Sequence, residues 1–149
     1  MQRLMEKYMI EPDKSGGDKT ERLQIATCVL LVEAAKTDEE FSAAEEDIIT
    51  GILQKEFQLS QEAVKDLMDI AHAEREESVD VYEFTRLINE HYSRQEKMKI
   101  MEYIWRVIYA DARLDKYEDY LAHKLGKLLR LHHHEMIDAK LTVLAESKD

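Results

Sequence analysis

Helix breakers are scarce in this sequence. Among 149 residues there are one proline and four glycines, and Pro12, Gly16 and Gly17 fall in one short segment near the start. Gly and Pro cost a helix interior about 1 and about 3 kcal/mol relative to Ala. A chain nearly free of both, and rich in Ala, Leu, Glu and Lys, is therefore predicted to be helical almost throughout. No segment alternates with the period of two that a half-buried strand requires. The lone cysteine, Cys28, cannot form an intrachain disulfide. Its neighbours Ala26, Thr27, Val29 and Leu30 make it a core thiol rather than a nucleophile. No stretch approaches the roughly 18 apolar residues of a membrane span. The first ten residues lack the continuous apolar run of a signal peptide, so the expected location is cytoplasmic.

Positive charge is also in deficit. Thirty-two acidic side chains face 21 basic ones, for a formal net charge of −11. That argues against binding nucleic acid through its phosphates, which needs a basic face, and against anionic membrane surfaces. Such a field attracts cations or basic patches on a protein partner, although charge of this size is also ordinary for solubility. Catalytic signatures are missing as well: there is no Gly-rich phosphate loop, no G-x-S-x-G, no H-E-x-x-H and no Cys-His-Asn arrangement. Acid–base chemistry by paired carboxylates needs one of them in an apolar pocket, whereas the acids here fall in highly charged loops.

What is present divides cleanly into helices. The length suits one domain with a proper core. Capping boxes, in which an N-cap side chain and a Glu three residues later satisfy each other's backbone donors, are predicted at Asp18/Glu21, Ser42/Glu45, Asp80/Glu83, Ser93/Glu96 and Asp115/Glu118. Ser60 caps a further helix without the reciprocal Glu. Helices are thus expected at about 2–10, 19–36, 43–56, 61–76, 81–91, 94–111, 116–131 and 134–147, an all-α compact domain of seven to eight helices. Residues 1–17 read as an N-terminal helix and a breaker-rich link, and 18–149 as the body. Apolar residues cover a wide arc in 19–36 and in 94–111, so these two helices should be packed on most sides. The helix at 61–76 carries one apolar stripe and belongs on the surface.

A shift of 73 residues brings the two central helices and their sequels into register. Leu31, Val32 and Ala35 fall on Ile104, Trp105 and Ile108. Asp38 then falls on Asp111, Phe41 on Leu114, Ser42 on Asp115, Glu45 on Glu118 and Glu46 on Asp119. Because polar punctuation recurs along with apolar period, an internal pseudo-twofold repeat is expected. In each half an Asp at the end of one helix would stand near a Glu in the first turn of the next.

At these residues the chain resembles the TerB family of tellurite-resistance proteins, related to the N-terminal domain of the DjlA co-chaperones. The first copy of the motif runs Ala35-Lys36-Thr37-Asp38-Glu39-Glu40-Phe41-Ser42-Ala43-Ala44-Glu45. The second runs Tyr109-Ala110-Asp111-Ala112-Arg113-Leu114-Asp115-Lys116-Tyr117-Glu118. The likeness covers roughly residues 20–147. It implies a non-enzymatic, stress-linked all-helical domain whose acidic surface binds metal ions. The Gly that follows the family's Asp is replaced here by Glu39 and by Ala112.

Oxygen-rich carboxylate clusters suit hard divalent cations such as Ca²⁺, Mg²⁺ or Mn²⁺. The candidate ligands are Asp38, Glu45 and Glu46 in the first copy, and Asp111, Asp115, Glu118 and Asp119 in the second. Helix capping and the attraction of acids to the positive end of the helix dipole explain Glu45 and Glu118 without any ion. The loops also lack the Gly and Glu positions of an EF-hand. His132-His133-His134 point in different directions at a helix start, and read as a cap rather than a site for one ion. The function expected is a binding domain with a protein partner, without nucleic acid or membrane insertion. The alternatives are a metal-dependent enzyme built on the same carboxylates and a purely structural module.

Overall fold

In the computed structural model the backbone is described over residues 16–35, 43–78, 80–111 and 116–146, with side chains over 20–35, 43–78, 80–110 and 119–146. The described residues form seven α-helices and one 3₁₀ turn: α1 (Gly16–Ala35), α2 (Ala43–Phe57), α3 (Gln61–Glu77), α4 (Tyr82–His91), α5 (Arg94–Ile108), the turn Tyr109–Asp111, α6 (Lys116–Leu128) and α7 (His133–Glu146). Among them no strand occurs. The expected helix at 2–10 lies outside the described residues.

The core follows from the two wide apolar arcs. From Ile25 to Val32 every residue of α1 is buried, Thr27 included, and Ala34 and Ala35 continue the run. A helix buried all round must be surrounded, and α1 packs against α2, α3, α4, α5 and α6. In α5, Ile100, Met101, Ile104, Trp105, Val107 and Ile108 are buried in the same core. The surface helix α3 turns Val64, Leu67, Met68 and Ala71 inward as its stripe requires, and buries Ile70 and Ala73 as well, a wider face than the stripe alone marks. Arg75 clamps it to α1 through a two-pronged ion pair, Nε to Glu33 Oε1 at 2.7 Å and an Nη to Oε2 at 3.3 Å.

Capping decides the helix starts, with two corrections. Ser93 and Glu96 form the expected box: Ser93 Oγ accepts from the Glu96 amide at 3.1 Å, and Glu96 Oε1 accepts from the Ser93 amide at 2.8 Å. Ser60 Oγ accepts from the Ala63 amide at 3.1 Å without a reciprocal Glu. Asp80 does not cap through a box. Its Oδ1 takes the Tyr82 amide at 2.8 Å, while Glu83 accepts from the Ser78 hydroxyl at 2.8 Å, and Val81 occupies the N-cap. Asp18 is no N-cap either, because α1 already begins at Gly16. A first turn tolerates Gly readily, since its amides have no intrahelical partner in any case. Ser42 and Asp115 lie outside the described residues.

The runs α1–α2–α3 and α5–α6–α7 share an order of contacts, the first helix packing on the third and the second touching both. Both second-to-third junctions use one format: a left-handed residue, a leucine, then the position before the helix. These are Gln58-Leu59-Ser60 and Arg130-Leu131-His132, with φ of 56° and 62° at Gln58 and Arg130. They are likenesses of order and junction, and do not by themselves establish a twofold axis. At the second junction Leu131 donates to the Gly126 carbonyl at 3.0 Å and Arg130 to that of Lys127 at 2.9 Å, the Schellman arrangement that ends a helix. Asn89 adds a side-chain cap, donating to the Leu128 carbonyl at 2.9 Å while accepting from Lys97 Nζ at 3.1 Å. Burial, with Arg94 and Arg130 nearby, lowers the pKa of that lysine.

Candidate metal centre at the acidic helix starts

The described acids fall into two groups. Glu45 stands in the first turn of α2 and is buried, 4% exposed, while its neighbour Glu46 is exposed. Glu118 and Asp119 stand in the opening turn of α6. Asp111 closes the 3₁₀ turn that continues α5, and that turn packs against α2. The backbone carrying an acid of the second copy therefore lies against the helix that carries two acids of the first. Asp38 and Asp115 lie outside the described residues, as do the substituted positions Glu39 and Ala112. Among the described residues no three His, Cys, Asp or Glu side chains converge as a metal site would require.

Asp119 has a neighbourhood that spacing alone does not reveal. Its Oδ1 lies 3.6 Å from His123 Nε2, one helical turn on, and 3.8 Å from Lys140 Nζ of α7. His123 meets Trp105 edge-on, with ring centroids 6.0 Å apart at 81°, and stacks on His133 at 5.4 Å and 15°. Lys140 Nζ stands 5.2 Å from the Trp105 ring centroid. Trp105 is wholly buried, and its Nε1 donates to the Met136 carbonyl at 3.1 Å. The histidine run diverges only in part. His132 stacks on His134 at 5.7 Å, and His133 alone turns to His123. The fold-back that brings His123 and His133 together belongs to the α6–α7 junction. Only the Asp119/His123 spacing of four announces any of it in the sequence.

A second polar hub holds α7 in place. Arg94, at the start of α5, grips Glu135 with Nε to Oε2 at 2.6 Å and an Nη to Oε1 at 2.7 Å, and donates to the Arg130 carbonyl at 3.2 Å. Glu135 Oε1 also accepts from the His132 amide at 2.7 Å, so the residue caps its helix backwards while the arginine holds it from outside. The Arg94 hydrogen bonds, then the backbone amide, depress the pKa of Glu135 to about 2. Nothing local in the sequence marks the two as a pair, because 41 residues separate them.

A family model described as tellurite resistance protein TerB matches residues 24–141. No curated protein matches the chain, and no solved structure does.

Proposed function

The chain belongs to the TerB family of tellurite resistance proteins, and on that premise we propose that it is a binding domain rather than an enzyme, with a hard divalent cation as its ligand at the acidic helix starts. The observation that carries this reading is the packing of the Tyr109–Asp111 turn on α2, the helix of Glu45 and Glu46. Carboxylate oxygens are the donors that Ca²⁺, Mg²⁺ and Mn²⁺ prefer, and the net charge of −11 raises the local concentration of any cation. Asp38, Asp111, Asp115 and Glu118 would supply the inner ligands with Glu45. Asp119 contributes least, since Lys140 and His123 already stand beside it. The pseudo-twofold relation of the two halves, a basic protein partner and a cytoplasmic location form part of the same proposal. No described helix is long and apolar enough to cross a membrane.

A second reading rests on Glu45 and Glu118 as residues of first turns, where the helix dipole alone favours acids. The acids then serve folding, and the domain is a structural interaction module. A third assigns the same carboxylates to a metal-dependent enzyme. Calorimetric titration with Ca²⁺, Mg²⁺, Mn²⁺ and Zn²⁺ separates them, run beside an Asp38→Asn/Asp111→Asn variant. Saturable heat that the variant loses, without turnover, is the expected result. No saturable heat with any ion would sink the cation reading, and saturable heat unchanged in the variant would sink the choice of ligands.

A further inference from the structure

Away from the acidic helix starts, α1, α2 and α5 line a cleft of about 60 Å³ near the end of α4, open to solvent on the side of Glu56, Glu96 and Lys99. That is several times the roughly 10–15 Å³ that one water molecule needs. Its walls combine aromatic rings (Phe57, Tyr92 and Tyr103) with the carboxylates of Glu56 and Glu96. Thr27 also lines it. Only 1% of this residue is exposed, and its Oγ1 makes no well-formed hydrogen bond among the described residues. A buried hydroxyl left in that state costs about 1–3 kcal/mol, so a partner from outside the chain has a reason to be there. The Tyr92 hydroxyl stands beside Thr27 as its nearest side-chain partner, in a contact too poorly formed to satisfy Thr27 Oγ1.

The charge and the hydrogen-bond inventory define what fits. Tyr103 donates to Glu56 Oε1, and the Ser93 amide donates to Glu96 Oε1. Burial and Glu56 hold the Tyr103 phenol protonated by raising its pKa. The Oε2 atoms of Glu56 and Glu96 accept nothing among the described residues, so they and Thr27 Oγ1 offer three acceptors. Two carboxylates face Lys99 on the rim, and the second nearby cation, Arg106, 5.7 Å from the Tyr103 ring centroid, is already paired with Glu102 and Glu146, so the balance at the cleft is negative. An anion is repelled, and a strongly hydrated metal ion would have to shed water against aromatic walls. A primary ammonium has three donors and is well received by aromatic rings.

We propose that this cleft binds the primary ammonium group of an alkylamine, its N–H donors meeting Thr27 Oγ1, Glu56 and Glu96 and its stem lying among the aromatic rings. In a cell that chemistry comes from a lysine side chain of a partner or from a free polyamine. The site shares no residue with the cation site proposed above, so the two stand or fall separately.

The test is an NMR titration of the full chain with n-butylammonium chloride, with n-butanol, sodium butyrate and NaCl as controls. Saturable shifts centred on Thr27, Glu56, Tyr92 and Tyr103 are expected with the amine alone. Binding should weaken at least five-fold in Glu56→Gln and in Thr27→Val, and tighten a few-fold in Lys99→Met, which removes the like charge. Thr27→Val should also melt higher than the parent without ligand, which shows that its loss of binding is not a loss of fold. An Nα-acetyl-lysine N-methylamide probe run against putrescine identifies the source, the tighter binder marking a protein side chain or a polyamine. Linear shifts spread over the acidic surface would overturn the proposal. So would an equal response to butanol, or unchanged binding in both Thr27→Val and Glu56→Gln.

Discussion

Replacing glycine by alanine should move stability in opposite directions at two helical positions of this protein, and the difference can be worked from distances. At Gly126 in α6 an added Cβ would stand 2.1 Å from Met136 Sδ, 2.7 Å from Met136 Cγ and 3.3 Å from Met101 Sδ. Swinging the sulfur away would relieve only the first of these. Cγ lies one bond from the Met136 Cβ, so its clash can be relieved only by a new χ1 or by separating α6 from α7. Met136 is 2% exposed and Met101 fully buried, so neither movement has free space to use. Overpacking of this kind costs about 1–3 kcal/mol, against about 0.5–1 kcal/mol gained by Ala over Gly in a helix, for a net loss of up to roughly 2.5 kcal/mol. At Gly51 in α2 an added Cβ meets nothing within 4 Å. Only the propensity gain remains there, and Gly51→Ala should stabilise by about 0.5–1 kcal/mol. Urea unfolding of both variants reads the signs directly, and thermal melting should shift by about 2–4 °C per kcal/mol in a domain of this size. Trp105 gives a local readout, because its indole donates to the Met136 carbonyl. Its fluorescence should change in Gly126→Ala and stay constant in Gly51→Ala. A Gly126→Ala protein as stable as Gly51→Ala would refute the close approach of α6 and α7.

Arg130 occupies the left-handed position of the Schellman turn with φ of 62°, and its structural partner Arg94 uses only its carbonyl. Arg130→Gly should therefore stabilise by about 0.5–1 kcal/mol, the relief of left-handed strain less the added freedom of the unfolded chain; a destabilised variant in a urea melt would count against it. Glu135 has a folded-state pKa depressed to about 2 from the ordinary glutamate value of 4.5. Its contribution is thus complete above about pH 4.5 and is lost as the pH falls toward 2. Glu135→Gln should be less stable than the parent at neutral pH and should lose less stability across that window, as acid titration followed by circular dichroism will show. Ser93→Ala removes one half of the only complete capping box among the described residues and should cost about 1 kcal/mol. A cost within error of zero would mean that Glu96 alone holds the start of α5.

Composition and local chemistry carried the fold class. With one proline and four glycines, nothing in the chain could compete with helix, and side chains such as Ser60 and Ser93 mark starts through bonds that span only three residues. The same locality explains the failures. Asp80 and Glu83 have the box spacing, yet Glu83 finds the Ser78 hydroxyl instead, a choice set by how the chain leaves α3. The candidate acids are partly legible for the same reason. Glu45 reads as a residue of a helix start, but its burial depends on what covers that start.

By itself, then, the sequence determined that the chain is helical, acidic, centred on α1 and α5, and similar to the TerB family, because each of these rests on composition or on short-range pattern. Tertiary structure alone decided which distant groups meet. Arg94 reaches Glu135 across 41 residues. His123 stacks on His133 because a left-handed Arg130 turns α7 back on α6. Thr27, ordinary in an apolar helix, opens into a cleft walled by residues of α2 and α5. Periodicity says which face of a helix is buried and is silent on what it is buried against. The poorly satisfied hydroxyl at Thr27 and the close approach at Gly126 both belong to that second question.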